Sequence, residues 1–283
     1  MKRRRAKVLG VFFFLEHSLS GTPSKSHSAV IMGRMNDTPV SPKFDILYEK
    51  GPCICVQKPA GLLTQAPPGI DNLEEQVRAF YKQREGKTGN IYLAIIHRLD
   101  RPVSGAIVFC RNVRAAQRLA AQFRERSVRK TYWGIVEGVP PEEQGEWTDY
   151  VRKIPDVARG EVTDKSAEGA KRAELSYQVI ARNEKHALLE IELETGRYHQ
   201  IRLQCAARGF PILGDRLYGA GESFGPEVED PRHQHIGLHA RTLVFRHPMV
   251  DEMVEVTAPL PAAWIASPVW QELAPQGPDE GEA

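Results

Sequence analysis

Residues 187–195 read Ala-Leu-Leu-Glu-Ile-Glu-Leu-Glu-Thr, with Leu189, Ile191 and Leu193 in strict alternation with Glu190, Glu192 and Glu194. Successive side chains of a strand point to opposite faces, so this segment reads as a strand with one face in a core and the other in water. The chain must therefore build a sheet and cover one side of it. Further strands are expected at Phe44–Glu49, Cys53–Gln57, Thr131–Glu137, Leu175–Ala181, Leu238–Phe245 and Met253–Thr257. Ile91–Ile96 and Ala106–Cys110 are strand-like apolar runs.

Helical spacing appears in two places before the midpoint. Leu73, Val77, Phe80 and Tyr81 predict a helix over 72–84, with Asp71 and Glu74 as a capping-box-like start. Asn112 can cap a second helix running to about Arg126, with Ala115, Leu119 and Phe123 as its apolar stripe. Val139–Lys171 is rich in Pro, Gly and charge and reads as a loop or hairpin region, and Ala262–Leu273 as a short terminal helix.

The two apolar runs bracket His97-Arg98-Leu99-Asp100-Arg101-Pro102-Val103-Ser104-Gly105. A charged, Gly-containing loop between strands is where folds tend to place chemistry. Arg98 and Arg101 favour the ionised form of Asp100, and a carboxylate held anionic suits a nucleophile or base. Taken alone, the segment reads more simply as a salt-bridged turn. Residues 111–130 follow with seven basic side chains against one acid, Glu125. Such a run is usually a solvated face; its place beside this loop points to phosphate contacts. Further on, Thr195 can cap a helix whose first turn presents Arg197, His199 and Gln200 as an anion-facing surface.

Composition narrows the class. With 41% hydrophobic and 26% charged residues, the chain has the make-up of a globular protein. Five basic residues fall in Met1–Lys7, so the +2 formal charge leaves a slightly acidic body and any nucleic-acid surface must be a local patch. Cys53, Cys55, Cys110 and Cys205 show no C-x-x-C spacing and read as small apolar residues in a reducing, cytoplasmic compartment. His233, His235 and His239 lack a Cys or carboxylate at ligand spacing, so no metal is expected. Met1–Lys7 followed by the apolar Val8–Leu15 imitates a signal peptide with a poor cleavage site. The preferred reading of 1–43 is a disordered extension or an early start, before a domain over 44–273 and a disordered acidic tail at 274–283. No run reaches the ~18 apolar residues that span a membrane.

Four segments, Lys58–Thr64, His97–Gly105, Arg129–Tyr132 and Leu193–Arg202, resemble the successive motifs of the RluA-type pseudouridine synthases. The loop Gly214–Gly219, then Leu238-His239-Ala240 and His247-Pro248, resemble that family's C-terminal half, so the resemblance runs from Phe44 to Ala258. It implies an α+β fold with a mixed, largely antiparallel central sheet, flanking helices and an active-site cleft. It implies isomerisation of a uridine in ribosomal or transfer RNA, without cofactor or metal; a monomer with no obligate protein partner is expected because no strongly apolar surplus helix suggests otherwise.

By the same resemblance Asp100 is the catalytic aspartate. Whether it attacks C1′ or abstracts a ribose proton is left open. Tyr132 matches the tyrosine that stacks on uracil, and Arg197 the arginine that pairs with the aspartate. Arg98 matches a residue that enters the RNA stack when the uridine leaves it, since the reacting atoms are inaccessible in stacked RNA. Arg101 would contact a phosphate, and Lys58, with Gly61 and Leu62, would wall the cleft. The loop departs from the family at Val103, where Thr is usual. This departure and the unusual N-terminus are what favour the alternative, a non-catalytic RNA-binding or RNA-chaperone protein of the same fold. A glycosidase fits less well, because no second carboxylate occupies a comparable motif.

Overall fold

Ala106–Cys110 has no polar side chain to offer to water, and the whole of Ser104–Cys110 is buried. The structure, a computed structural model, describes residues 44–275. The N-terminal extension 1–43 and all but the first two residues of the expected tail lie outside the described residues.

In chain order the strands are β1 (Ile46–Lys50), β2 (Cys53–Lys58), β3 (Ala94–Ile95), β4 (Ser104–Cys110), β5 (Arg129–Glu137), β6 (Gln144–Lys153), β7 (Gly160–Thr163), β8 (Lys171–Arg182), β9 (His186–Leu193), β10 (Leu238–Arg246) and β11 (Met253–Thr257). They form one 11-stranded sheet in the order β1-β2-β4-β10-β5-β9-β8-β6-β7, with β11 beside β10 and β3 beside β4. Among the described strands only β4 and β10 run parallel, through Ser104↔His239 and Gly105↔Ala240; the other pairs are antiparallel. The mixed, largely antiparallel sheet is thus present.

Helices α1 (Leu73–Arg84) and α2 (Val113–Arg124) cover opposite faces of β2 and β4. Leu73, Val77, Phe80 and Tyr81 of α1 pack with Ile54, Val56, Ile107 and Phe109. Each such burial contributes about 1.5–3 kcal/mol. Ala115 and Leu119 of α2 meet Cys55, Val108 and Cys110 on the other side. The cysteines are free and buried.

Strand β9 follows its alternation, with Leu189, Ile191 and Leu193 in the main core. Leu188 lies on the opposite side and is buried with Trp264 and Trp270 of the short helices α4 (Ala262–Ile265) and α5 (Pro268–Leu273); the expected single terminal helix is broken in two where Ser267 caps α5 and Pro268 begins it.

Two local expectations are corrected, and the hairpin reading of Val139–Lys171 holds. Helix α1 is capped by Asn72, whose Oδ1 accepts from Glu75 N at 3.0 Å, while Asp71 accepts from the Gln76 amide instead. The run Ile91–Ile96 is strand only at Ala94–Ile95, because Ile91 and Leu93 turn into the core. Val139–Lys171 holds the β6–β7 hairpin, and β6 pairs with β8 along its length. Asn112 caps α2 as expected, its Oδ1 accepting from Ala115 N at 2.7 Å. Among the described residues no helix is long and apolar enough to cross a membrane.

Candidate active site

The loop between β3 and β4 carries Asp100 and is fixed from beneath by the segment after β2. Thr64 clamps Leu99 reciprocally, its Oγ1 donating to Leu99 O at 2.9 Å and accepting from Leu99 N at 3.2 Å. Gly61 N donates to Arg101 O at 2.8 Å, and Val103 N closes a turn onto Asp100 O at 3.1 Å. His97 stacks on Phe123 of α2, ring centroids 4.8 Å apart, and its Nε2 accepts from Val108 N. Backbone held at this many points presents its carboxylate in a defined direction.

Lys58 belongs to this support and not to the cleft wall. Its side chain is fully buried, and Nζ donates to the carbonyls of Pro59, Leu62 and Arg101 at 2.9, 2.7 and 3.2 Å. Burial pushes its ammonium down to about 7, the Asp100 charge opposing and the Arg101 charge adding to the fall. A fully buried ammonium bonded to three carbonyls has no surface for RNA, so the expected substrate contact from Lys58 is replaced by a structural one.

Asp100 lies on the wall shared by two adjoining cavities of about 850 and 600 Å³. The larger is lined by Tyr132, Arg124, Arg126, Lys130 and Arg197, the smaller by Arg101, Arg216 and Arg232, and both by Arg98, His199 and Arg202. Tyr132 projects from β5, where burial, with the Asp100 charge adding to it, raises its phenol above the ordinary range. It faces the cavity as a neutral ring.

The cation at Asp100 is Arg202, not Arg197. Arg202 Nη1 stands 3.4 Å from Asp100 Oδ2, and His199 Nε2 stands 3.6 Å from the same oxygen. Arg197 instead donates from Nε to Arg172 O at 2.8 Å. The reason lies in the turn before α3 (Gln200–Ala207). Thr195 does not cap this helix; its Oγ1 donates to Gln200 Oε1, which also accepts from Arg197 N. His199 adopts the left-handed conformation, φ 51° and ψ 29°, immediately before the helix. This conformation costs a residue with a Cβ about 1–2 kcal/mol. That break in helical phase leaves Arg197 at the cavity rim and turns Arg202, one helical turn on, to the buried side.

Neither Arg98 nor Arg101 forms an ion pair with Asp100, so the carboxylate is not held by its sequence neighbours. The basic run at 111–130 also divides. Arg111 lies over the Tyr81 ring and bridges to Glu85, and Arg118 donates to Pro248 O, while Arg124, Arg126 and Lys130 line the larger cavity. Val103 is buried in the main core at 2% exposure, so the departure at that position is absorbed by packing. His239 is used within the sheet, Nδ1 bonded to Ser104 Oγ at 2.8 Å and Nε2 to Ala258 O at 3.2 Å.

The family model described as RNA pseudouridylate synthase matches residues 52–207, more than half of the chain. The dual-specificity RNA pseudouridine synthase RluA of Pasteurella multocida is 32% identical over 230 residues, covering 78% of this chain and 95% of that protein. The chain belongs to the RluA-type RNA pseudouridine synthases. Another relative of this pseudouridine synthase, the uncharacterized RNA pseudouridine synthase slr1629 of Synechocystis, is 34% identical over 221 residues. The match covers 77% of this chain and 66% of the cyanobacterial protein, a little under two thirds of its length. The solved structure of human RNA pseudouridylate synthase domain containing 4 shares the pseudouridine synthase fold, with a TM-score of 0.64 at 24% identity over 78% of this chain and 90% of that one.

Proposed function

We propose that this chain isomerises a specific uridine of ribosomal or transfer RNA to pseudouridine, with Asp100 acting at C1′. The observation that carries the reading is the placing of the Asp100 carboxylate. Its Oδ2 is faced by Arg202 and His199, and Oδ1 has no partner among the described residues. Breaking the C1′–N1 bond develops positive character at C1′, which an anionic carboxylate can trap or assist. Oδ1 is then the oxygen that meets the sugar, the freed base turns against Tyr132, and C1′ joins C5.

The surrounding residues support an RNA substrate. Arg98 is exposed on the wall of both cavities, where its planar side chain can occupy the stack vacated by the flipped nucleotide. Arg101 is part-exposed and borders the smaller cavity, where its guanidinium can meet a phosphate. Arg197 at the rim of the larger cavity is a further substrate contact in this reading. Relatives named for dual specificity and, in Haemophilus ducreyi, for the ribosomal large subunit favour structured RNA as the target class. The reading takes the enzyme as a cytoplasmic monomer, a compartment consistent with four free, buried cysteines.

The test is pseudouridine mapping of total cellular RNA from a deletion strain complemented with wild type or with Asp100→Asn. The expected result is a site lost on deletion and restored by wild type alone. Rescue by both forms would overturn the assignment in favour of RNA binding without catalysis.

A further inference from the structure

Asp100 Oδ2 is approached by a second group besides Arg202, and that group is itself held in a chain of contacts. Gly160 N, on β7, donates to Tyr218 Oη at 2.9 Å; Tyr218 Oη lies 2.7 Å from His199 Nδ1; His199 Nε2 lies 3.6 Å from Asp100 Oδ2. The Tyr198 ring stacks on the imidazole at 3.8 Å between centroids, and the His199 side chain is only 9% exposed.

Which ring nitrogen carries the proton follows from this chain. Tyr218 Oη already accepts from Gly160, and among the described residues its proton has His199 Nδ1 as its hydrogen-bond acceptor. Nδ1 is therefore the acceptor and Nε2 carries the hydrogen. The opposite tautomer would aim a lone pair of Nε2 at the carboxylate and leave the phenol proton unplaced. Burial pushes the imidazole down to about 4, Asp100 opposing and Arg202 adding to the fall, so the ring is neutral at physiological pH. The 3.6 Å separation is longer than a hydrogen bond and acts as a dipole directed at the carboxylate.

We infer that His199 is a positioning residue for the isomerisation, its tautomer set by Tyr218 and Gly160 so that its Nε2–H dipole faces Oδ2 of Asp100 and leaves Oδ1 to the ribose. The left-handed backbone at His199 has its physical reason here, since it turns the ring onto the carboxylate at a conformational cost. Gly160 has a reason as well. A Cβ on it would lie 3.0 Å from Leu203 Cδ1 and from Arg152 O, so the bare Cα lets β7 approach closely enough to reach Tyr218. The relay thereby ties the β6–β7 hairpin to the aim of the catalytic carboxylate.

This inference rests on Asp100 being the catalytic aspartate, and its test keeps the two apart. RNA from the deletion strain, labelled with [5-³H]uridine, serves as substrate under single-turnover conditions, because forming the C1′–C5 bond releases the C5 hydrogen. His199→Leu is expected to lower the rate about 100-fold through loss of aim. Binding of the same RNA is expected to stay within about twofold. His199→Gln, whose amide N–H can reach the same point, is expected to recover about tenfold over His199→Leu. Tyr218→Phe, which frees the tautomer, is expected to fall between wild type and His199→Leu.

A His199→Leu rate within about twofold of wild type, with Asp100→Asn inactive, would overturn the inference alone. An active Asp100→Asn would overturn the functional reading beneath it. Should His199→Leu not fold, His199→Asn takes its place, being one methylene too short. Gln above Asn by about tenfold supports the relay, and equal rates overturn it.

Discussion

Arg202 grips Asp215 through two hydrogen bonds, Nε to Oδ2 at 2.6 Å and Nη2 to Oδ1 at 2.8 Å, with both side chains almost wholly buried. Burial opposes the Arg202 charge, but the bonds and charge of Asp215 outweigh it and, with Asp100, raise the guanidinium above its ordinary range. The fork geometry fixes the plane of the guanidinium, and so fixes where Nη1 meets Asp100.

Asp215→Ala is therefore expected to cost about 3–5 kcal/mol, the usual consequence of leaving one member of a buried pair without its partner. Urea unfolding followed by tryptophan fluorescence measures this. A loss under about 1 kcal/mol would show that Arg202 finds full compensation elsewhere.

Lys58 gives a pH signature. Its folded value of about 7 lies below the ordinary 10.5, so between those limits the unfolded chain holds a proton that the folded chain has released. Stability then rises with pH across this window, by at most about 1.4 kcal/mol per pH unit. Lys58→Met should be less stable at every pH, because three carbonyls lose their donor, and should lack that rise. Urea midpoints at several pH values from neutral to mildly alkaline decide it, and parallel slopes in the two proteins would contradict the assignment.

Gly105 sits at φ 123°, where a side chain is strained, and a Cβ there would lie 2.3 Å from Ala240 O and 2.6 Å from Ala240 N. These are backbone atoms of the paired strand and cannot swing aside. Gly105→Ala is expected to cost more than about 4 kcal/mol, the range reserved for a specific steric or backbone failure. Thermal unfolding by circular dichroism checks it; a midpoint within a few degrees of wild type would mean that the β4–β10 pair can slide.

Much of this was readable because local rules and tertiary demands agree. The alternation in β9, the Asn112 cap and the apolar faces of α1 and α2 each follow from side-chain direction alone. So does a loop that presents Asp100 between two apolar runs. The misreadings have one physical origin, the partner that sequence spacing does not display. Arg197 and Arg202 lie in one short motif, and only the left-handed turn at His199 decides which of them meets the aspartate. Lys58 reads as a cation of the cleft wall until three carbonyls close around it. Tyr218 and Thr64 carry no signal of their own, since a hydroxyl announces its role only through the atoms that it reaches.

The neighbours of β10 bear on the order in which the protein can be made. Asp100 precedes β4, Tyr132 lies on β5, and the strand between these two is drawn from Leu238–Arg246, more than a hundred residues later. A nascent chain that has reached only Ala207 has both chemical groups but leaves β4 and β5 with unpaired edges and nothing to set their spacing. The two groups can take their final spacing only once β10 fills the gap between β4 and β5. A chain ending before Leu238 would keep Asp100 and Tyr132 yet lack the strand that sets their spacing.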